Sequence, residues 1–169
     1  GDHQPLEYNP KENYIGFIDS SQGRHDSFCF AVGFRYRTSD QIVVARHWEW
    51  EAPFNPSEVV AECAQKAREY HVSVLFADAN SIGWVEEEFA KHRLRVNLTK
   101  LSKSQLYVEF QGLVQLGKVW LPNDRRAELQ LLQLERSENR DGSWRVDHPK
   151  YGNAMDDLAN AIAGCAVTV

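Results

Sequence analysis

Apolar residues alternate between short runs and helical spacings along the 169-residue chain. Tyr14-Ile15-Gly16-Phe17-Ile18 is a short apolar run that stops at Asp19 and a polar turn, Ser20-Ser21-Gln22-Gly23, which predicts a buried strand and its turn. Ser27 to Tyr36 and Gln41 to Trp50 are rich in aromatic and β-branched residues, and Thr38-Ser39-Asp40 separates them. The three segments predict an antiparallel meander of two hairpins.

The rhythm then becomes helical. Asn55-Pro56-Ser57-Glu58 suits a helix start, with Asn55 as N-cap, Pro56 at the first position and Glu58 in a capping-box-like place. This helix is expected to run to about His71. Val72 to Ala77 predicts a fourth strand ending at Asp78, Ser81 to His92 a short helix, and Arg95 to Thr99 a fifth strand. Lys103 to Leu116 predicts a helix with Leu106, Phe110, Leu113 and Val114 on one face. Val119 to Pro122 is a brief extended piece, and Asp124 to Gln133 is helical. Leu134 to Glu138 and Ser143 to Val146 flank Asn139-Arg140-Asp141-Gly142, a hairpin signal. Ala154 to Val167 predicts a closing helix of small apolar residues, suited to lying close against a sheet. The pattern defines an α/β chain: a central mixed sheet with a three-stranded antiparallel meander, flanking helices, a C-terminal hairpin and a final helix. Residues 1–12 read as an irregular lead-in or cloning remnant, and residues 13–169 as one domain.

Composition narrows the class. Hydrophobic residues make up 43% and charged residues 25%, as in an ordinary globular domain. No apolar run reaches membrane-spanning length, and the polar N-terminus lacks a signal-peptide core. Cys29, Cys63 and Cys165 have neither metal-ligand nor redox spacing, which predicts buried thiols in a reducing compartment. The net charge of −5 runs against a nucleic-acid binder, although a local basic patch can coexist with an acidic total.

The candidate chemistry lies in carboxylates. Asp19 and Asp78 each end an apolar strand, and Asp156-Asp157 opens the last apolar helix. A carboxylate at the end of a buried strand is costly unless it is paired or bound to metal. Each position taken singly also suits a turn or a helix cap. If the first and fourth strands are neighbours, Asp19 and Asp78 meet, and the final helix brings Asp157 to the same point. Carboxylates without clustered His or Cys prefer Mg²⁺ or Mn²⁺. Two such ions hydrolyse phosphodiesters.

Five segments, in order, carry a resemblance: Gly16-Phe17-Ile18-Asp19-Ser20-Ser21-Gln22-Gly23, Leu75-Phe76-Ala77-Asp78-Ala79-Asn80, Lys103-Ser104-Gln105-Leu106-Tyr107, Gly117-Lys118-Val119-Trp120-Leu121-Pro122, and Met155-Asp156-Asp157-Leu158-Ala159-Asn160-Ala161-Ile162-Ala163. The set resembles the nuclease domain of the large terminase subunit of tailed bacteriophages. The resemblance implies a ribonuclease H-like fold and two-metal endonuclease cleavage of concatemeric viral DNA during packaging, leaving 5′-phosphate and 3′-hydroxyl ends. It implies Asp19, Asp78 and Asp157 as catalytic metal ligands, Asp19 bridging two Mg²⁺ or Mn²⁺ ions, with Asp156 as a further ligand or a helix cap. Many relatives carry a second acidic residue where Asn160 stands. The implied partners are double-stranded DNA, an N-terminal ATPase motor, the small terminase subunit and the portal, in the cytoplasm of an infected bacterium and without a membrane.

Lys100, Lys103, Lys118, Arg125 and Arg126 are candidate DNA-backbone contacts, Lys103 foremost because it lies in a family-like segment. His148 is a candidate accessory residue, as are His25 and Asp26. The five tryptophans read as packing residues rather than base-stacking platforms. Gly112 to Val119 imitates a phosphate-binding loop, but Val119 stands where Ser or Thr would hold Mg²⁺. Gly117 reads as a helix C-cap instead. Two alternative readings are a junction-resolvase-like nuclease and a non-catalytic DNA-binding or assembly module of the same fold. A proofreading exonuclease would carry Asp-x-Glu in its first strand, and here Ser20-Ser21 follows Asp19.

Overall fold

The computed structural model describes residues 4–20, 25–72, 74–79, 83–148 and 155–169. The turn residues Ser21 to Gly23, Ser73, Asn80, the expected helix start at Ser81 and the expected start of the last helix at Ala154 lie outside them, as does the side chain of Trp144.

Strands β1 (Ile15–Asp19), β2 (Phe28–Arg35) and β3 (Ile42–Trp50) form the expected antiparallel meander. Helix α1 (Pro56–Glu69) leads to β4 (Val74–Ala77), which pairs parallel to β1. Helix α2 (Trp84–Lys91) leads to β5 (Arg95–Leu98), parallel to β4. Helix α3 (Lys103–Gln115) leads to β6 (Val119–Trp120), which pairs parallel to β3. The six strands lie in the order β5-β4-β1-β2-β3-β6. Helix α4 (Arg125–Leu132), the hairpin of β7 (Glu135–Glu138) and β8 (Trp144–Asp147), and α5 (Asp157–Thr168) complete the chain.

The sheet separates two cores. One face buries Ile18, Phe30, Val32 and Leu75 against α1 and α2, where Val60, Ala64, Ala67 and Phe89 pack. The other buries Phe17, Cys29, Ala31 and Val44 against α3 and α5. Helix α5 can approach so closely because its residues are small. A Cβ on Gly164 would lie 2.3 Å from the Phe17 ring.

Helix ends follow local chemistry, with one shift. Asn55 Oδ1 accepts from the Ser57 and Glu58 amides, so the cap holds. The reciprocal capping box lies at α3, where Ser102 and Gln105 each bond the other's backbone amide. Gly117, past the end of α3, has φ +65°, the left-handed conformation that glycine adopts without cost. The buried face of α3 differs from its expected one. Tyr107 is buried with Leu106 and Phe110, while Val114 is exposed. The Tyr107 hydroxyl finds a partner at Asp156, which removes the cost of burying it. Trp48 stacks on Phe30 at 5.3 Å and Trp50 meets Phe28 edge-on, as packing residues do. Residues 4–12 form neither helix nor strand, yet Leu6 and Tyr8 dock on the core, and the Leu6 carbonyl accepts from the Tyr70 hydroxyl.

Candidate metal centre at the strand ends

Register brings the strand-end carboxylates together. Ile18 pairs with Ala77 across the parallel β1–β4 ladder, so Asp19 and Asp78 are the next residues on neighbouring strands. Side chains alternate along a strand. Phe17 faces α5, so Asp19, two residues on, faces α5 as well. Phe76 and Asp78 follow the same rule on β4. Helix α5 points its N-terminus at this end of the sheet. Asp157 is its first residue, and its Oδ2 accepts from the Ser27 backbone N–H at 3.1 Å. Asn160, one turn later and fully buried, donates from Nδ2 to Asp78 Oδ2 at 3.4 Å. The α5 turn is anchored from α4, where buried Gln130 Oε1 accepts from the Ala159 amide at 3.0 Å.

The electrostatics are those of crowded acids. Burial pushes the Asp19 carboxyl up to about 7. Lys103 and the Asn160 amide pull it down, and the Asp157 and Asp78 charges push it further up. Asp157 is raised to about 6, first by burial, against the pull of the Ser27 N–H and Lys103. Among the described residues, Asp19 Oδ2 and Asn160 Oδ1 are buried acceptors with no donor. Two adjacent orphaned acceptors among aspartates suit a hard divalent cation, whose charge would return both acids to the ionised form.

Asp156 occupies the N-cap position of α5, but its side chain makes no capping hydrogen bond. Its carboxylate is almost fully buried and turns toward α3. There Oδ1 takes a 2.8 Å ion pair from Lys103 Nζ, and Oδ2 lies 3.3 Å from the Tyr107 hydroxyl. Lys103, expected among surface cations, thus points its ammonium into the acidic cluster. Asp147 and His148, at the end of β8, complete a group with Asp156 whose ligand atoms all lie within 4.8 Å of one another. Lys103 already balances Asp156 there, which disfavours a cation at that position. The hairpin is held beside the site by Ser104, whose Oγ accepts from the Val146 N–H at 3.0 Å.

The remaining candidate cations do not form one patch. Lys100 is exposed just past β5, at the site end of the sheet. Arg126 pairs with Glu49 at 2.6 Å and with Glu51 at 3.1 Å, also at that end. Arg125 pairs with Glu128 on its own helix. Lys118 pairs with Asp40 in the β2–β3 turn, at the opposite end of the sheet. His25 is exposed, and the Asp26 charge helps to raise the Asp157 carboxyl. Three contributors were not singled out from sequence for what they do here: the Ser27 amide, the Tyr107 hydroxyl and the Asn160 side chain. Only Asn160 left a signal, as a polar residue inside an apolar helix.

The strand order and the helix that crosses the sheet define a ribonuclease H-like α/β fold. Solved structures share this fold. The large terminase nuclease of the thermophilic phage G20c, solved with bound magnesium, superposes with a TM-score of 0.76 at 20% identity, over 96% of this chain and 84% of that one. The HK97 bacteriophage large terminase superposes at 0.77 and 12% identity, over 99% of this chain and 41% of its own. A mutant nuclease domain of the large terminase subunit of bacterial virus Sf6, solved with manganese and β-thujaplicinol, gives 0.70 and 15%, over 90% and 87%. No family model matches the sequence, and no curated protein matches it. Among the described residues, no helix is long and apolar enough to cross a membrane.

Proposed function

We propose that the chain is a metal-dependent DNA endonuclease domain in which Asp19, Asp78 and Asp157 hold two divalent cations, Mg²⁺ or Mn²⁺. The observation that carries this reading is the meeting of carboxylates from β1, β4 and α5 beside Asp19 Oδ2 and Asn160 Oδ1, buried acceptors without a donor among the described residues. Comparison structures of the same fold that were solved with magnesium, cobalt or manganese support it. When bound, such ions activate a water and neutralise charge developing on a phosphodiester. The protein's own groups prepare the place. Asp19 presents an unpaired oxygen, Asn160 orients Asp78, and the Ser27 N–H orients Asp157.

Lys100, Arg125 and Arg126 are proposed to meet the DNA backbone beside the site. The wider role proposed is cutting of concatemeric viral DNA during packaging in the cytoplasm of an infected bacterium. There the domain would act with an ATPase motor, a small terminase subunit and a portal.

The test is incubation with supercoiled plasmid and Mn²⁺ or Mg²⁺, beside an EDTA control and Asp19→Asn. Nicking and linearisation that vanish with EDTA and with the variant are expected. Cleavage that survives Asp19→Asn would overturn the site, and a folded protein inert with both metals would favour the non-catalytic module.

A further inference from the structure

Lys103 stands where local rules argue against it. It is the first residue of α3, and the positive end of a helix dipole disfavours a cation. Its ammonium also loses water on packing into the cluster, which disfavours the charged form. The aspartates Asp19, Asp156 and Asp157 outweigh that cost and raise its pKa. A residue that violates both helix electrostatics and solvation must be held by something else. Here that is the 2.8 Å contact to Asp156 Oδ1, on a carboxylate whose side chain is only 3% exposed.

We propose that Lys103 is a built-in counter-cation of the carboxylate cluster. It holds Asp156 and the adjoining aspartates together before any metal arrives, and its positive charge weakens the cluster's grip on divalent cations. The second half rests on the metal reading above, while the first half does not. Asp156 is accordingly a positioning residue, fixed by Lys103 and Tyr107 rather than by a helix cap. One charge would then serve two states. Without metal it offsets repulsion among Asp19, Asp156 and Asp157. With metal it opposes tight binding, so that ions exchange instead of being trapped.

The test compares Lys103→Met, Lys103→Arg, Asp156→Asn and the double variant K103M/D156N. Melting temperature in EDTA is measured first. Lys103→Met should melt several degrees below the starting protein, because it leaves the buried Asp156 charge without its partner. The double variant should recover at least half of the loss, and Lys103→Arg should retain most of the stability. Calorimetric titration with Mn²⁺ follows. Lys103→Met should bind Mn²⁺ about tenfold more tightly, the scale of one removed charge a few ångströms away in a partly screened site. An unchanged midpoint for Lys103→Met in EDTA, or a double variant no more stable than the single one, would overturn the proposal. Unchanged or weaker Mn²⁺ binding by Lys103→Met would do the same. Should Lys103→Met fail to fold, the double variant decides, and its failure to fold would also count against the idea. If the starting protein shows no Asp19-dependent Mn²⁺ binding, the metal reading falls, and the EDTA comparison still decides whether Lys103 holds the cluster.

Discussion

The backbone N–H of Ser27 donates to Asp157 Oδ2 at 3.1 Å, joining the entry of β2 to the first turn of α5 across 130 residues of chain. Ser27 is almost fully buried, so its amide has no water to turn to. The contact aims one Asp157 oxygen at the strand, and the Asp157 charge is felt at Asp19.

Asn160 is expected to act through Asp78. Its Nδ2 holds Asp78 Oδ2, so Asn160→Ala frees that carboxylate to rotate. Loss of such an outer contact costs about 10–100-fold in metal affinity. Calorimetry with Mn²⁺ on Asn160→Ala and Asn160→Asp checks it, and equal affinity in the alanine variant would remove Asn160 from the site.

Asp78→Asn and Asp157→Asn are each expected to lower plasmid cleavage on the order of a hundredfold or more, because on the proposed reading each removes a charge that would hold metal. Both variants should keep the fold, since the lost charges repel one another. Gel assays at saturating metal, beside circular dichroism, separate the two effects. Wild-type rates in either variant would exclude that residue.

Stability in EDTA should depend on pH with a definite sign. Asp19 and Asp157 have folded pKa values of about 7 and about 6, above an unfolded value of about 3.9. An acid whose pKa rises on folding binds its proton more tightly when folded. Its contribution is therefore largest below the unfolded pKa and is lost as pH rises through the folded one. The metal-free protein should melt about 5 °C or more higher at pH 5 than at pH 8. Asp19→Asn should flatten that slope, and saturating Mn²⁺ should reverse it by favouring the ionised acids. A slope unchanged in Asp19→Asn would assign the effect elsewhere.

Gly164→Val should be among the more destabilising single changes. Even a Cβ at this position meets the Phe17 ring at 2.3 Å, and Phe17 lies two residues before Asp19. Overpacking of this kind costs about 1–3 kcal/mol. Urea denaturation measures the loss, and a midpoint equal to that of the starting protein would mean that α5 shifts freely.

Ser104→Ala should loosen the β7–β8 hairpin while leaving the sheet intact. The Ser104 hydroxyl accepts from the Val146 N–H and donates to the Val146 carbonyl. The loss is about 1 kcal/mol. Hydrogen exchange should quicken at residues 144–147 and stay constant in β1, β2 and β4, whereas uniform change throughout would contradict a local tether.

The order and type of the elements, and the strand-end positions of Asp19 and Asp78, were readable from the sequence. Period-two and period-3.6 hydrophobic patterns are local, and so are the Asn55 cap, the Gly117 stop and the Asp141-Gly142 turn. What the sequence could not decide is where a polar side chain turns once its element is packed. Lys103 read as a surface cation, yet a carboxylate 53 residues away draws it inward. Asp156 read equally as ligand or cap, and Tyr107 and Lys103 on a neighbouring helix claim its side chain. Asn160 stood out as a polar residue where relatives of the resembled family carry an acid, but its partner Asp78 was set only by the folded chain. Each outcome rests on contacts between residues far apart in the chain, and their energy depends on burial and on neighbouring charges. Those quantities exist only after the helices have crossed the sheet.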